Sequence, residues 1–232
     1  MPQKITAEIT AQEFQDSFGF VETSGLYNDP KFRLVVNKFG RCYWLLAHDN
    51  LQGPRFSGNN VYYQGNNSRL MRTIYPNATR IIDVGANVGN NTIAYSEWAK
   101  NVESFEPTPT TLTMLKANIA IASQQNLNGI YWKGTDEVGN VYRDEDATAG
   151  WYTYKGIHQS MNLVANTTVY EVAATNRNEG TIDILDHTDH GGHNHVVLDS
   201  DNVKLRDSQN LVPVPARTLD SYNFQDVDAI KI

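Results

Sequence analysis

Asp83, Gly85, Asn87, Gly89 and Thr92 fall within one short stretch, IIDVGANVGNNT, at positions 81–92. An apolar run there meets an acid, two glycines four apart, and polar residues able to open a helix. Glycines at such a place remove Cβ atoms where the backbone turns tightly and where a ligand comes close. A helix start offers unpaired N–H groups and a positive dipole end to an anion. An aspartate two residues ahead of the loop would repel a pyrophosphate but suits an ammonium group. A ligand with both groups is an amino acid, and an adenosyl derivative of methionine meets both ends of the loop. A nicotinamide loop differs, because its glycines follow G-x-G-x-x-G; here Asn87 stands where the middle glycine would be. A second acid, Glu106 in SFEP, follows about 20 residues after the glycines. At that distance an acid can accept hydrogen bonds from both ribose hydroxyls of an adenosine.

These residues need a strand before the loop and a helix after it. RIIDVG (80–85) reads as a buried strand and NNTIAYSEWAK as a helix, with asparagine available as a cap. NVESFEP is a second strand, and TPTTLTMLKANIAIAS a second helix with Leu112, Leu115, Ile119 and Ala122 on one face. Strand, helix, strand, helix predicts parallel βαβ units, with ligands at the carboxyl ends of the strands. Upstream, KFRLVVNKFGRCYWLL alternates with period two on both sides of NKFG, which predicts a β-hairpin. A short strand is expected around NVYYQ, and SRLMRTIYPN reads as a short helix ended by Pro76. Downstream, residues 124–157 break the rhythm and read as an insertion. HQSMNLVAN is expected to resume a helix before the strands TTVYEVAAT and EGTIDIL. NLVPVPARTLDSY then leads into a last apolar strand, DAIKI, with Asp220 capping a short helix. The organisation expected is an extension at 1–75 and a main domain at 76–232.

Composition narrows the function classes. The 232 residues carry a formal charge of −7 and contain no lysine- or arginine-rich block. Nucleic acid is thereby disfavoured as a partner, since phosphate binding needs clustered cations. No apolar run reaches membrane-span length and no secretory leader is evident, so no membrane span is expected. The single Cys42 fits a reducing compartment, and a cytoplasmic location is expected.

IIDVGANVGNNT, SFEPTPTTLTMLKANI, AATNRNEGTIDIL and VPARTLDSYNFQDVDAIKI, in that order, resemble the motifs of the FkbM-like family of S-adenosylmethionine-dependent methyltransferases. The resemblance spans about residues 80–232 apart from the insertion; its first two motifs belong to the wider class, and the TLD…DAIKI ending points to this family. It implies a Rossmann-like class I methyltransferase fold: a mostly parallel sheet with flanking helices, preceded by the hairpin-containing extension. It implies further that Asp83, Gly85, Asn87 and Gly89 line the methionine side of the cofactor, assisted by Thr92. Glu106 would hold the ribose, Pro107 and Thr108 would border the adenine, and Ala174 would lie at the adenine edge. In the family, IKI continues into an acid and a VEG-like turn, so the domain is expected to be incomplete at its C-terminal end. The activity implied is O-methylation of a hydroxyl-bearing small molecule, glycan or lipid. The alternative is a non-catalytic remnant that binds S-adenosylmethionine or is purely structural.

Four of the six histidines, His187, His190, His193 and His195, cluster in DHTDHGGHNH beside Asp186 and Asp189. No zinc-ligand spacing is matched there, so no metal is expected. A histidine of this loop is the candidate base for an acceptor hydroxyl. The four tryptophans are read as packing residues.

Overall fold

The computed structural model describes residues 7–8, 26, 29–36, 42–48, 65–128, 166–176, 180–187, 194–197, 205 and 209–232. Its central feature is a four-stranded, all-parallel sheet of β4 (Arg80–Val84), β5 (Asn101–Phe105), β6 (Thr167–Tyr170) and β11 (Val227–Lys231). The spatial order is β11-β4-β5-β6. The chain therefore steps outward from β4 to β5 to β6, then returns to lay β11 against the free side of β4. The order reverses at β4, which is where an open α/β sheet leaves a crevice at its strand tips.

Strand periodicity of two divides the residues between the two faces of this sheet. Ile81, Asp83, Val102 and Ser104 share one face, the first and third of them packing with Ala78, Tyr95 and Ala99. That face is covered by α1 (Gly65–Ile74), α2 (Asn90–Tyr95) and α3 (Pro109–Asn128), whose Leu112 and Leu115 pack on Ala86. Ile82, Val84, Phe105 and Tyr170 share the other face, against Leu219, Tyr222 and Phe224. The helix expected before Pro76 is α1; its Met71, together with Tyr75 just beyond it, packs into the sheet's core. The expected boundary at residue 75 thus crosses packed structure.

The hairpin is present. β2 (Phe32–Val36) and β3 (Cys42–Leu46) pair antiparallel, joined by a two-residue β1 (Ala7–Glu8) on the far side of β2. Tyr43, Trp44, Leu45 and Leu46 are buried, as expected of tryptophan used for packing. The expected strand near NVYYQ lies outside the described residues, as do the insertion beyond Asn128 and all of HQSMNLVAN except Asn166, which stands in a turn before β6. Residues 124–128 belong to α3 rather than to that insertion.

A second sheet departs from the expectation of one strand series. TTVYEVAAT is not one strand: β6 ends at Tyr170, and a separate short strand, β7 (Ala173–Ala174), leaves the parallel sheet. It joins β8 (Thr181–His187), β9 (His195–Val197) and β10 (Gln209–Arg217) in the order β7-β10-β8-β9. The sequence implies only a connection at β10, because Pro213 and Pro215 cannot donate to a ladder. The structure accommodates both. Ala216 donates its N–H to Gly180 O on the β8 side, so residues 213 and 215, of opposite parity, aim their nitrogens the other way. On that side β7 covers only Ala216 and Arg217, leaving the prolines at an open edge. Asp220 lies in the first turn of a 3-10 helix, Leu219–Tyr222; the cap position is Thr218, not Asp220.

Candidate functional site

Between β4 and α2 the chain passes through three residues of positive φ: Gly85 at 69°, Asn87 at 52° and Gly89 at 89°. The N–H groups of Gly85 and Ala86 both donate to Phe105 O, at 2.9 and 3.0 Å, stitching the loop to the end of β5. The two glycines serve different ends. A Cβ on Gly89 would lie 2.7 Å from Leu115 Cδ1, whereas one on Gly85 would meet nothing within 4 Å. Gly89 lets α3 pack against the loop; Gly85 leaves open space. Gly89→Ala should therefore cost about 3 kcal/mol, strain plus overpacking, and Gly85→Ala only about 1 kcal/mol of strain. Urea melts of the two variants check this order.

Glu106 follows β5 and is 5 % exposed. Its Oε2 accepts the Asn87 N–H at 2.8 Å; its Oε1 accepts the Thr108 N–H and the Thr111 hydroxyl, both at 2.9 Å. A carboxylate offers about four acceptor positions. Among the described residues three donors engage it, which leaves one position on Oε2. That capacity matches one ligand hydroxyl rather than the pair expected from the sequence.

Glu106 borders a cavity of about 320 Å³ at the tips of β4 and β5. Of the nine residues expected around a cofactor, Gly85, Asn87, Glu106, Pro107, Thr108 and Ala174 line it. Val84 and Phe105, at the tips of β4 and β5, line it too, and the rest of the wall was not foreseen: Val172 and Ala173 at the corner where the chain changes sheets, with Ile184 of β8, Asn194 just before β9 and Val196 of β9. No local sequence pattern marks these residues, because they reach the cavity only through the second sheet. Asn194 is anchored there, its Oδ1 accepting the His187 N–H at 2.8 Å.

Asp83, Gly89 and Thr92 are not among the lining residues. Asp83 shares the parity of Ile81, so its side chain lies on the helix-covered face and is fully buried. The Thr92 hydroxyl donates to Asp83 Oδ2 at 2.7 Å and sits 2.9 Å from Ser104 Oγ. Asp83 Oδ1 lies 3.1 Å from Lys231 Nζ, its register neighbour on β11. The ammonium facing this acid thus belongs to the chain itself.

Beneath the cavity, Phe105 stacks on Tyr170 at 4.6 Å between ring centroids. The Tyr170 hydroxyl donates to Glu103 Oε2 at 3.1 Å, and Arg80 Nε meets Glu103 Oε1 at 3.0 Å. Burial, then the Glu103 carboxylate, push the Tyr170 pKa from 10.0 up to about 12. A raised phenol pKa means the folded chain holds its proton where the unfolded chain has lost it. This contribution is complete below pH 10 and lost as pH rises from 10 through about 12. Alkaline unfolding followed by circular dichroism should show that loss, and Tyr170→Phe should flatten it.

Of the clustered histidines, His187 ends β8 and His195 opens β9; His190 and His193 lie outside the described residues. Asp186 is buried and accepts the Thr110 hydroxyl at 2.8 Å. Among the described residues no three His, Cys, Asp or Glu side chains are grouped to hold a metal, and no helix is long and apolar enough to cross a membrane. No family model, curated protein or solved structure matches the chain.

Proposed function

We propose that this chain is an S-adenosylmethionine-dependent methyltransferase of the FkbM-like type, with a Rossmann-like class I core, acting on a hydroxyl-bearing acceptor. The observation that carries the reading is the cavity at the reversal point of a parallel sheet, bordered by an acid with one acceptor position that no described residue fills. Its volume of about 320 Å³ falls in the range of small-molecule pockets. Val172, Ala173, Ala174 and Ile184 supply apolar lining of the kind a purine base needs, in the same cavity as the Glu106 carboxylate that suits a ribose. Gly85 leaves room for the part beyond the ribose. When bound, S-adenosylmethionine brings a methyl group already activated for transfer. The residues of the chain then have to align the nucleoside and keep water out. The oxygen acceptor rests on the family resemblance, and a base from the 187–195 segment remains part of the proposal. The single Cys42 fits a reducing compartment, so the proposal includes a cytoplasmic location.

One observation favours a second reading, binding without turnover: the acid expected to meet the ligand's ammonium is already ion-paired with Lys231. Titration calorimetry separates the possibilities. S-adenosylhomocysteine should bind the wild-type chain and be excluded by Ala174→Phe, while NAD binds neither. Binding with no methyl transfer to any hydroxylated acceptor supports the second reading; no binding of S-adenosylhomocysteine overturns both.

A further inference from the structure

Lys231 ends β11 with its side chain 27 % exposed, and three oxygens surround its ammonium. Nζ lies 3.1 Å from Asp83 Oδ1, 3.1 Å from Val84 O and 3.0 Å from Gly85 O. Two of its N–H donors reach the Val84 and Gly85 carbonyls as hydrogen bonds, and Asp83 Oδ1 faces the ammonium as an ion pair without a hydrogen bond. Val84 and Gly85, whose carbonyls accept from Lys231, also line the cavity, while Lys231 and Asp83 themselves do not. An acid with two outward-turned backbone carbonyls at a strand tip is a cation subsite, and here the chain fills it.

We propose that Lys231 is an internal ammonium occupying the cation subsite at the tip of β4, so that a ligand carrying its own ammonium enters only by displacing it. This rests on the nucleoside reading above and specifies it. Exchanging one ammonium for another is close to neutral in energy, since the same carboxylate and two carbonyls face a cation before and after. The site should therefore discriminate poorly between a nucleoside thioether with an α-amino group and the same molecule without it. The register makes the competition unavoidable: Lys231 is paired with Asp83 across adjacent parallel strands, so both side chains project on one face. Removing the lysine would leave a fully buried carboxylate and two carbonyls open to an incoming amine.

The test compares S-adenosylhomocysteine with its deaminated 2-hydroxy counterpart, by calorimetry on the full chain. In the wild type the two should bind within about threefold of each other. A direct contact between ligand ammonium and Asp83 would instead favour S-adenosylhomocysteine by roughly tenfold or more, as charge-assisted hydrogen bonds do. In Lys231→Met that preference should emerge, at about tenfold. A wild-type preference for S-adenosylhomocysteine above threefold overturns the proposal, as does an unchanged ratio in a folded Lys231→Met. The wild-type comparison needs no variant, so a preference above threefold overturns the proposal even where Lys231→Met fails to fold, and Lys231→Gln then supplies the second arm. Failure of both ligands to bind the wild type overturns the nucleoside reading itself, an outcome distinct from either.

Discussion

Ala174→Phe should weaken S-adenosylhomocysteine binding at least about 100-fold, roughly 2.7 kcal/mol. Ala174 is half-buried on β7 and lines the same cavity as Glu106. A phenyl ring projecting from there fills a large part of a space of about 320 Å³. Ala174 also packs against the cluster of Ile82, Phe105 and Val172, so some overpacking is expected and the melting temperature should fall by about 2–6 °C with the chain still folded. Calorimetry paired with a thermal melt checks both halves. Unchanged affinity in a folded Ala174→Phe would place any nucleoside site elsewhere on the molecule.

Asn118→Ala should cost about 3 kcal/mol of stability, the largest fold effect expected of a single side chain here. Asn118 is fully buried on α3. Its Oδ1 accepts the Trp44 N–H at 2.6 Å, while its Nδ2 donates to Trp44 O at 3.1 Å and to Val88 O at 2.8 Å. The carboxamide thus stands in for a neighbouring strand along the edge of β3 that no other described strand pairs, and it ties the glycine loop to the same helix. Alanine leaves three backbone groups without this partner in a dry interior, each expensive to strand. For a chain of this size the loss lowers the melting temperature by about 6–12 °C. Asn118→Asp should be nearly as damaging, because a carboxylate keeps the Trp44 N–H but cannot donate to either carbonyl. A melt of Asn118→Asp close to wild type would show that the donors are dispensable.

Asn118 also shows where sequence reading stops. On α3 it interrupts the apolar face drawn by Leu112, Leu115, Ile119 and Ala122, and nothing nearby in the chain reveals that its partners are Trp44 and Val88. Gly89 is a related case. The motif marked both glycines as loop residues, but only the packed structure separates a glycine required by Leu115 from one that opens space. Asp83 is the sharper lesson. Its residue type and its place before the loop suggested an acid aimed at a ligand. Strand parity instead turned the side chain to the helix-covered face, where Thr92 and Lys231 meet it.

The chain's local chemistry was enough to determine the elements: the hairpin around NKFG, the strands β4 and β5, α1 and α3, and a glycine-bearing turn between β4 and the helix that follows it. Periodicity, turn residues and backbone freedom act over a few neighbouring positions, so they are legible without any tertiary partner. What tertiary structure alone decided was the return of β11 to the side of β4, the change of sheet at Glu171–Val172, and the second sheet that walls the cavity. Those features depend on which strands find each other between distant parts of the chain, as those carrying Asp83 and Lys231 do. Contacts of that range leave no local pattern in the chain that makes them.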